Sequence, residues 1–216
     1  MDLTEMIGLV RLDLMEVDAG NYRWSDDELI HCIQKAVVEL SWHIPLEATA
    51  DLPTERGAQE IDITGLGDRV SIDAVEYPLG LSPPVYQRFA LWNGQVRLLG
   101  GIMPDGTDCR IYYRKVHILT DDGEDGLDST IPSYLEGLVA CGASGFAALA
   151  AGAYAVDRVN TGGISTAAES VEWGREQLDY FRRQIRRHGH NNRVRSGQLY
   201  APYYPPVSKA TDWGSG

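Results

Sequence analysis

The chain has 216 residues, of which 44% are hydrophobic and 23% charged, and these proportions exclude a fibrous, collagen-like or wholly disordered protein. Its net charge of -12 is unevenly distributed. Residues 1–180 carry 12 basic and 30 acidic side chains, whereas residues 181–216 carry 7 basic and one acidic. The acidic part lacks the basic surface that tight nucleic-acid binding requires, and the basic end of the chain indicates a binding partner.

Two amphipathic helices are predicted at the start of the chain. In the first, over residues 2–15, apolar side chains recur at helical spacing. The second begins at Ser25, which forms an S-x-x-E capping box with Glu28, and its apolar stripe ends at Pro45. These two helices predict an N-terminal helical hairpin over residues 1–48.

Between residues 49 and 128 the pattern changes to short runs in which polar and apolar residues alternate, as in half-buried strands. Asn93-Gly94 predicts a type I′ turn, because both central positions of that turn need a positive φ. The region therefore predicts a small antiparallel β domain inserted between helices. Its predicted strands are Gln59–Thr64, Val70–Tyr77, Tyr86–Trp92, Gln95–Leu99 and Asp108–Leu119.

A second helical hairpin is predicted over residues 129–189, with one helix opening at Ser133 and the other running from Thr166 to about Arg187. The uncharged stretch Gly137–Val156 is long enough to cross a bilayer, but it consists mostly of Ala and Gly. A helix packed on several sides is favoured over a membrane span. The predicted fold is α+β: a four-helix bundle with an inserted small antiparallel β domain and an extended C-terminal arm.

Small residues form a ridge along the third predicted helix. Such a ridge lets another helix approach closely, and that helix belongs either to a neighbouring subunit of a ring or to the same chain. The sequence leaves both interpretations open, and we favour the subunit contact. The candidate subunit-packing residues are Gly137, Cys141, Gly145, Ala148 and Gly152.

The C-terminal residues 190–216 show no helical period and combine arginine with tyrosine and proline. This composition predicts an extended arm whose aromatic side chains anchor it in a partner protein, and a disordered tail is the alternative. The candidate binding residues are Arg193, Arg195, Leu199, Tyr200, Tyr203, Tyr204 and Trp213.

Motifs of catalysis and of cofactor binding are missing from the sequence. It contains no G-x-S-x-G elbow, H-E-x-x-H, P-loop or dinucleotide fingerprint. The acidic segment 121–128 lacks the ligand spacing of an EF-hand. Cys32, Cys109 and Cys141 are widely spaced, which indicates reduced thiols. We therefore expect no enzyme activity, no cofactor and no metal.

Two phrases of the opening hairpin carry a resemblance: Val10-Arg11-Leu12-Asp13-Leu14, and Asn21-Tyr22-Arg23-Trp24-Ser25-Asp26-Asp27-Glu28-Leu29. Over residues 3–45 the chain resembles head-to-tail adaptor (head-completion, connector) proteins of tailed bacteriophages, and beyond that it is similar in predicted architecture. The resemblance implies a structural virion protein made in the cytoplasm of a bacterial host. It implies a ring, usually of twelve copies, in the virion neck between the portal protein, which the arm would grip, and the next connector or tail component.

In such a ring the acidic body would surround the DNA exit channel. Repulsion between carboxylates and phosphates would let DNA pass through without specific binding. The candidate channel-facing residues are Asp121, Asp122, Glu124 and Asp125. The alternative is a small cytosolic enzyme or ligand-binding protein with a pocket in the β domain.

Overall fold

The computed structural model describes residues 1–16, 18–20, 22–121, 128–155 and 167–196. In these ranges the chain forms four helices, with antiparallel sheets inserted between the second and the third, and the predicted α+β fold is confirmed. The helices are α1 (Leu3–Asp13), α2 (Asp26–His43), α3 (Ser133–Ala155) and α4 (Ala167–Ser196). The strands are β1 (Leu46–Leu52), β2 (Glu60–Asp62), β3 (Arg69–Glu76), β4 (Tyr86–Gln87), β5 (Phe89–Trp92), β6 (Gln95–Leu98) and β7 (Cys109–Lys115).

Helices α1 and α2 both begin with a reciprocal capping box. The Asp2 carboxylate accepts a hydrogen bond from the backbone N–H of Glu5 at 2.7 Å, and the Glu5 carboxylate accepts one from the N–H of Asp2. Ser25 and Glu28 exchange the same pair of bonds at α2, as predicted. These side chains satisfy N–H groups that have no partner inside the helix, so the sequence determines where each helix starts.

The helices pack around one apolar core, which lies in a compact unit made of Met1–Ala48, Gly67–Ser71 and the described part of Arg114–Gly189. Helix α1 contacts α2 and α3, and α2 contacts α3. The predicted stripe of α2 is confirmed, because all of its members are buried. The stripe consists of Leu29, Ile33, Val37, Leu40 and Ile44, and α4 adds Leu178, Phe181 and Ile185 to the same core.

Helix α3 is largely enclosed by the rest of the chain over the residues that the structure describes. By length and composition, the stretch Ser133–Gly152 could cross a membrane, but 67% of its apolar part is buried inside the chain. Its core-facing side includes Leu135, Val139 and Ala143, each at most 1% exposed. This burial is what a helix packed on several sides requires.

Helix α4 continues to Ser196, well beyond the predicted end near Arg187. The prediction of extended backbone from residue 190 is therefore wrong for 190–196. The first proline after this point is Pro202, so no residue before it blocks the helical hydrogen bonds. Gly189 is buried where a Cβ atom would collide with the His43 carbonyl oxygen. A helix interior tolerates glycine when close packing requires it.

The strands form two antiparallel sheets, one with the order β1-β7-β3-β4 and one with the order β2-β6-β5. A second compact unit contains Thr49–Leu66 and Ile72–Tyr113 and has an apolar core of its own, which includes Ile61, Val75, Val96 and Ile111. In the predicted hairpin turn, Asn93 and Gly94 have φ values of 47° and 74°. The type I′ prediction is confirmed at both positions.

Two strands differ from the prediction. Strand β1 was not predicted, although its residues alternate between half-buried and exposed in the period of a strand. The run predicted as one strand, Tyr86–Trp92, is divided at Arg88: β4 pairs with β3, and β5 pairs with β6. The alternation of polar and apolar residues along one run does not show that its two halves pair in different sheets.

Candidate functional site

The residues that carry the family resemblance meet at one buried arginine. Arg11, on α1, is only 7% exposed. Its guanidinium donates hydrogen bonds to the Glu16 carboxylate at 2.8 Å, to the Asp26 carboxylate at 2.6 Å and to the Trp24 carbonyl oxygen at 3.1 Å. It also lies 3.7 Å from the centre of the Tyr22 ring. This group, the Arg11 cluster, connects α1, the loop after it and the first turn of α2.

The chemistry of arginine explains why this residue suits the position. A planar guanidinium presents five donors and a flat face, so it binds two carboxylates and a carbonyl while it stacks on an aromatic ring. Asp26 stands in the first turn of α2, where a negative charge is favoured by the helix dipole. Trp24 is half-buried against the bundle core at the position before the cap, as expected for a hydrophobic staple. The cluster therefore sets how the chain enters α2.

The small-residue ridge of α3 faces α4 of the same chain over part of its length. A Cβ atom on Gly145 would lie 2.9 Å from Leu178 Cγ and 3.1 Å from the Gly174 carbonyl oxygen. A Cβ atom on Gly174 would lie 2.9 Å from that of Ala148. The Cys141 thiol donates to the Gln177 side-chain oxygen at 2.9 Å. These three members of the ridge make the close intrachain helix pair that was one of the two interpretations.

The other ridge members are placed differently. Gly137 is exposed, with no heavy atom within 4 Å of the position that its Cβ would occupy. Gly152 is buried near the end of α3. The subunit-packing role stays a prediction, and Gly137 is the member that leaves room for a neighbour.

Burial also governs the chemistry of Cys141. Removal from water disfavours the thiolate and raises the pKa of this thiol to about 11, and the pKa of Cys109 is raised to about 11 in the same way. The three cysteines are free thiols. Thiols with such pKa values are poor nucleophiles at neutral pH.

The described part of the acidic loop caps a helix. The Asp121 carboxylate accepts hydrogen bonds from the backbone N–H of Thr4 at 2.8 Å and from its hydroxyl at 3.1 Å. Thr4 stands in the first turn of α1, where a carboxylate is favoured by the helix dipole. Asp122, Glu124 and Asp125 lie outside the described residues. The channel-facing role stays a prediction for this loop.

Most of the predicted arm lies outside the described residues as well, including Leu199, Tyr200, Tyr203, Tyr204 and Trp213. At Arg193 and Arg195 the backbone is helical. Just before them, α4 exposes Arg183, Arg186 and Arg187. Arg182, in contrast, donates to the Glu39 carboxylate at 2.6 Å. The basic end of the chain thus begins on the outer face of a helix.

Sequence reasoning missed a buried histidine two residues after the end of β7. His117 is 6% exposed, and its Nε2 and Nδ1 atoms lie 2.9 Å and 3.0 Å from the carbonyl oxygens of Ile44 and Thr130. Its backbone N–H donates to Ser41 Oγ. Burial lowers the pKa of His117, and the two carbonyl contacts oppose that shift. An isolated histidine in a strand pattern carries no sequence signal for this position.

A pocket of about 260 Å³ lies beside α2 in the first unit, next to His117. Its lining is mostly apolar and includes Ile33, Val37, Val38 and Leu119, with Asp68 as the charged member. Both ring nitrogens of His117 contact carbonyl oxygens of the chain, so this histidine does not offer a free acid–base group to a ligand in the pocket.

Polar groups of the second unit bind one another. The Tyr77 hydroxyl donates to the Asp105 carboxylate at 2.7 Å, and this bond contributes most to lowering the pKa of Asp105 to about 2. The Tyr112 hydroxyl donates to Glu76 at 2.7 Å, which raises the pKa of this tyrosine to about 12. These contacts hold strands and loops in place.

Among the described residues there is no group of three or more His, Cys, Asp or Glu side chains that is able to hold a metal ion. Comparison with models of known protein families gives no match, and comparison with curated protein sequences gives none either.

Proposed function

We propose that this chain is a head-to-tail adaptor of a tailed bacteriophage. In the proposal it is a structural virion protein that forms a ring, usually of twelve copies, between the portal and the next connector or tail component. The Arg11 cluster is the observation that carries the proposal. In the phrases that resemble the adaptor family, Tyr22, Trp24 and Asp26 all contact one buried side chain, that of Arg11.

The cluster supports the proposal through what it does to the hairpin. A closed ring requires every copy to present the same two faces at the same angle. Arg11, near the end of α1, donates two hydrogen bonds to the start of α2, at Trp24 and Asp26, and one to Glu16 in the loop between them, which favours one hairpin geometry in every copy. The helices also share one buried apolar core, so each subunit of the proposed ring would be a rigid unit.

The charge distribution supports the same function. The body carries a large excess of carboxylates, and many of them are exposed, including Asp26, Asp27 and Glu28 at the start of α2. A ring with such a surface around its opening would repel the phosphates of duplex DNA and let it move. In the proposal DNA passes through the ring without specific binding.

The basic end of the chain would bind the portal. Arg183, Arg186 and Arg187 are exposed along α4, and the sequence beyond Ser196 is rich in tyrosine and proline. Arginine and aromatic residues are the side chains that most often anchor a protein interface. Binding of this end to an acidic portal surface would weaken as the salt concentration rises.

The alternative, a ligand-binding protein or enzyme with a pocket in the β domain, has less support. The pocket described above lies beside α2 and is mostly apolar. The polar groups of the second unit that stand closest together, Tyr77 with Asp105 and Tyr112 with Glu76, bind each other.

The experiment mixes the purified chain with the portal protein encoded in the same genome and examines the product by negative-stain electron microscopy and by mass measurement. We expect a ring of the chain on the portal at a fixed stoichiometry. A variant that ends at Ser196 keeps every described helix and strand and the exposed arginines of α4, so it should fold but bind the portal more weakly than the full chain. The variant Trp42→Ala, at an exposed position on α2, is the matched control and should bind normally.

The outcomes are distinct. A chain that folds but makes no complex with portal particles at any salt concentration contradicts the proposed function. If the variant ending at Ser196 forms the complex equally well, the proposed role of the arm is wrong, but the proposed function of the chain still stands. The portal must be present because adaptors of this kind can be monomeric until they meet it, so the mass of the free chain does not decide the function.

A further inference from the structure

Strand β5 forms one edge of the three-stranded sheet. It pairs with β6 in the register Ala90 with Arg97, Leu91 with Val96, and Trp92 with Gln95. In the part of the chain that the structure describes, no strand pairs with its other side. Edge strands present a row of backbone donors and acceptors to which another strand can add.

The hydrogen-bond pattern shows which residues of β5 face outward. The backbone N–H of Leu99 donates to the carbonyl oxygen of Arg88 at 2.8 Å. In an antiparallel pair such bonds are made by alternate residues, so Arg88, Ala90 and Trp92 bond to the β6 side. The N–H and C=O groups of Phe89 and Leu91 therefore point away from β6, toward the open edge.

The side chains of β5 are unusually exposed for an apolar strand. By register, Leu91 lies on the same sheet face as Val96, which is fully buried, yet Leu91 is 49% exposed. Trp92 lies on the opposite face and is 82% exposed. The apolar row that begins in the core thus reaches the open edge and ends there uncovered, which is atypical of an isolated chain.

We propose that β5 pairs with β5 of a second copy of this chain, antiparallel and centred on Ala90. Phe89 of each copy then stands opposite Leu91 of the other. These two outward-facing pairs make four backbone hydrogen bonds and continue the apolar row across the seam. On the other face, Arg88 of each copy stands opposite Trp92 of the other, at a distance that allows a cation–π contact.

Strand β5 is complementary to itself, and for this reason we assign its open edge to β5 of a second copy. A two-fold axis through Ala90 satisfies every outward backbone group of Phe89 and Leu91 and matches a cation with an aromatic ring twice. The other edge of the sheet is a poorer partner. In β2, Glu60 and Asp62 alternate with Ile61, so they are the residues whose backbone groups face the open edge. An antiparallel pairing of β5 with β2 would therefore set Phe89 opposite one of these two acidic residues.

This association is a two-fold dimer, so it differs from the head-to-tail contacts of a ring. It goes beyond the proposed function and does not depend on it. A dimer through β5 would form in solutions of the free chain whether or not a portal is present.

The experiment measures the dissociation constant by sedimentation velocity from about 10 μM to about 1 mM, a range suited to a small transient interface. Trp92→Arg places two arginines opposite each other at both ends of the seam, and we expect at least about tenfold weaker association. Adding Arg88→Trp to that variant exchanges the two members of each pair and should restore the wild-type constant. Trp42→Arg, at another exposed tryptophan, is the matched control and should leave it unchanged.

A backbone variant tests the strand pairing itself. Leu91→Pro removes an outward N–H and leaves the hydrogen bonds between β5 and β6 in place, so it should weaken association about tenfold while the circular dichroism spectrum and melting temperature stay close to wild type. A chain that stays monomeric throughout the concentration range overturns the inference. A dimer that is insensitive to Leu91→Pro, or a double exchange that restores nothing, overturns it equally. None of these outcomes bears on ring formation with the portal.

Discussion

Replacing Arg11 by alanine tests whether the cluster holds the opening hairpin together. The substitution leaves the Glu16 side chain, which is 8% exposed, without its counter-charge. Removing one partner of a buried ion pair costs about 3–5 kcal/mol, because a desolvated charge remains. The Asp26 side chain is 69% exposed, so water solvates it when Arg11 is lost. Loss of the Arg11–Asp26 pair therefore contributes less than about 1 kcal/mol to the destabilisation.

We therefore expect Arg11→Ala to lower the free energy of unfolding by about 3 kcal/mol, measured by urea titration followed by circular dichroism with an unchanged m value. Arg11→Lys keeps the charge but not the fork of donors, and should cost about half as much. Adding Glu16→Gln to Arg11→Ala removes the stranded charge and should recover about 1–2 kcal/mol. Arg182→Ala, which breaks the more exposed pair with Glu39, is the control and should cost under about 1 kcal/mol.

The result that refutes the reasoning is specific. If Arg11→Ala costs no more than Arg182→Ala, the arginine is not the centre of the hairpin. If the double variant is no more stable than Arg11→Ala, the loss does not come from an uncompensated Glu16 carboxylate. In either case the structural support for the proposed function through this cluster is withdrawn.

Three further results are expected. Gly145→Ala should lower the unfolding free energy by about 1–3 kcal/mol because its Cβ meets α4, whereas Gly137→Ala, where the space is open, should leave it unchanged or raise it by up to about 1 kcal/mol; equal melting temperatures would contradict the close helix pair. Tyr77→Phe should raise the pKa of Asp105 from about 2 toward 3.8 in a carboxyl NMR titration, and an unmoved pKa would show that the hydroxyl is not its cause. Because burial lowers the pKa of His117 below 6.5, the unfolded chain binds more protons, so stability is full above that pH and falls as the pH decreases through 6.5. A His117→Gln variant should show a flatter stability profile between pH 7 and 5, and an equal slope would contradict this origin.

The helices were predictable because their signals are local. In each capping pair, Asp2 with Glu5 and Ser25 with Glu28, the two residues are three positions apart in the sequence, and both pairs form. The end of α4 was not predictable in the same way. Glycine commonly follows the end of a helix, whereas Gly189 lies inside α4 because it packs closely against His43 on α2, which is a tertiary contact.

In the sheets, the tight turn was predictable and the pairing was not. Asn93 and Gly94 are the residue types that adopt a positive φ, so the hairpin could be read directly. The break at Arg88 between two sheets depends on which strands lie on either side of it. Strand β1 alternates between apolar and polar residues from Leu46 to Leu52, so its sequence does carry the period of a strand.

The sequence of the candidate site could be singled out in advance, but the contacts between its side chains could not. Tyr22, Trp24 and Asp26 stood together in the sequence, whereas the role of Arg11 as their common partner depends on the turn between the helices. Periodicity suggested the ridge of α3 correctly but did not reveal which helix covers it. Its nearest cover is α4 of the same chain at Gly145.

The position of the inserted strands also affects the order in which the bundle forms. Helices α2 and α3 pack on each other, yet α2 ends at His43 and α3 begins at Ser133, so their contact closes a loop of roughly 90 residues. The β5–β6 hairpin closes through two residues, Asn93 and Gly94, and needs no such search. Early formation of local strand pairs shortens the effective loop between the helices. We expect the insertion thereby to lower the entropic cost of closing the helical core that its sequence interrupts.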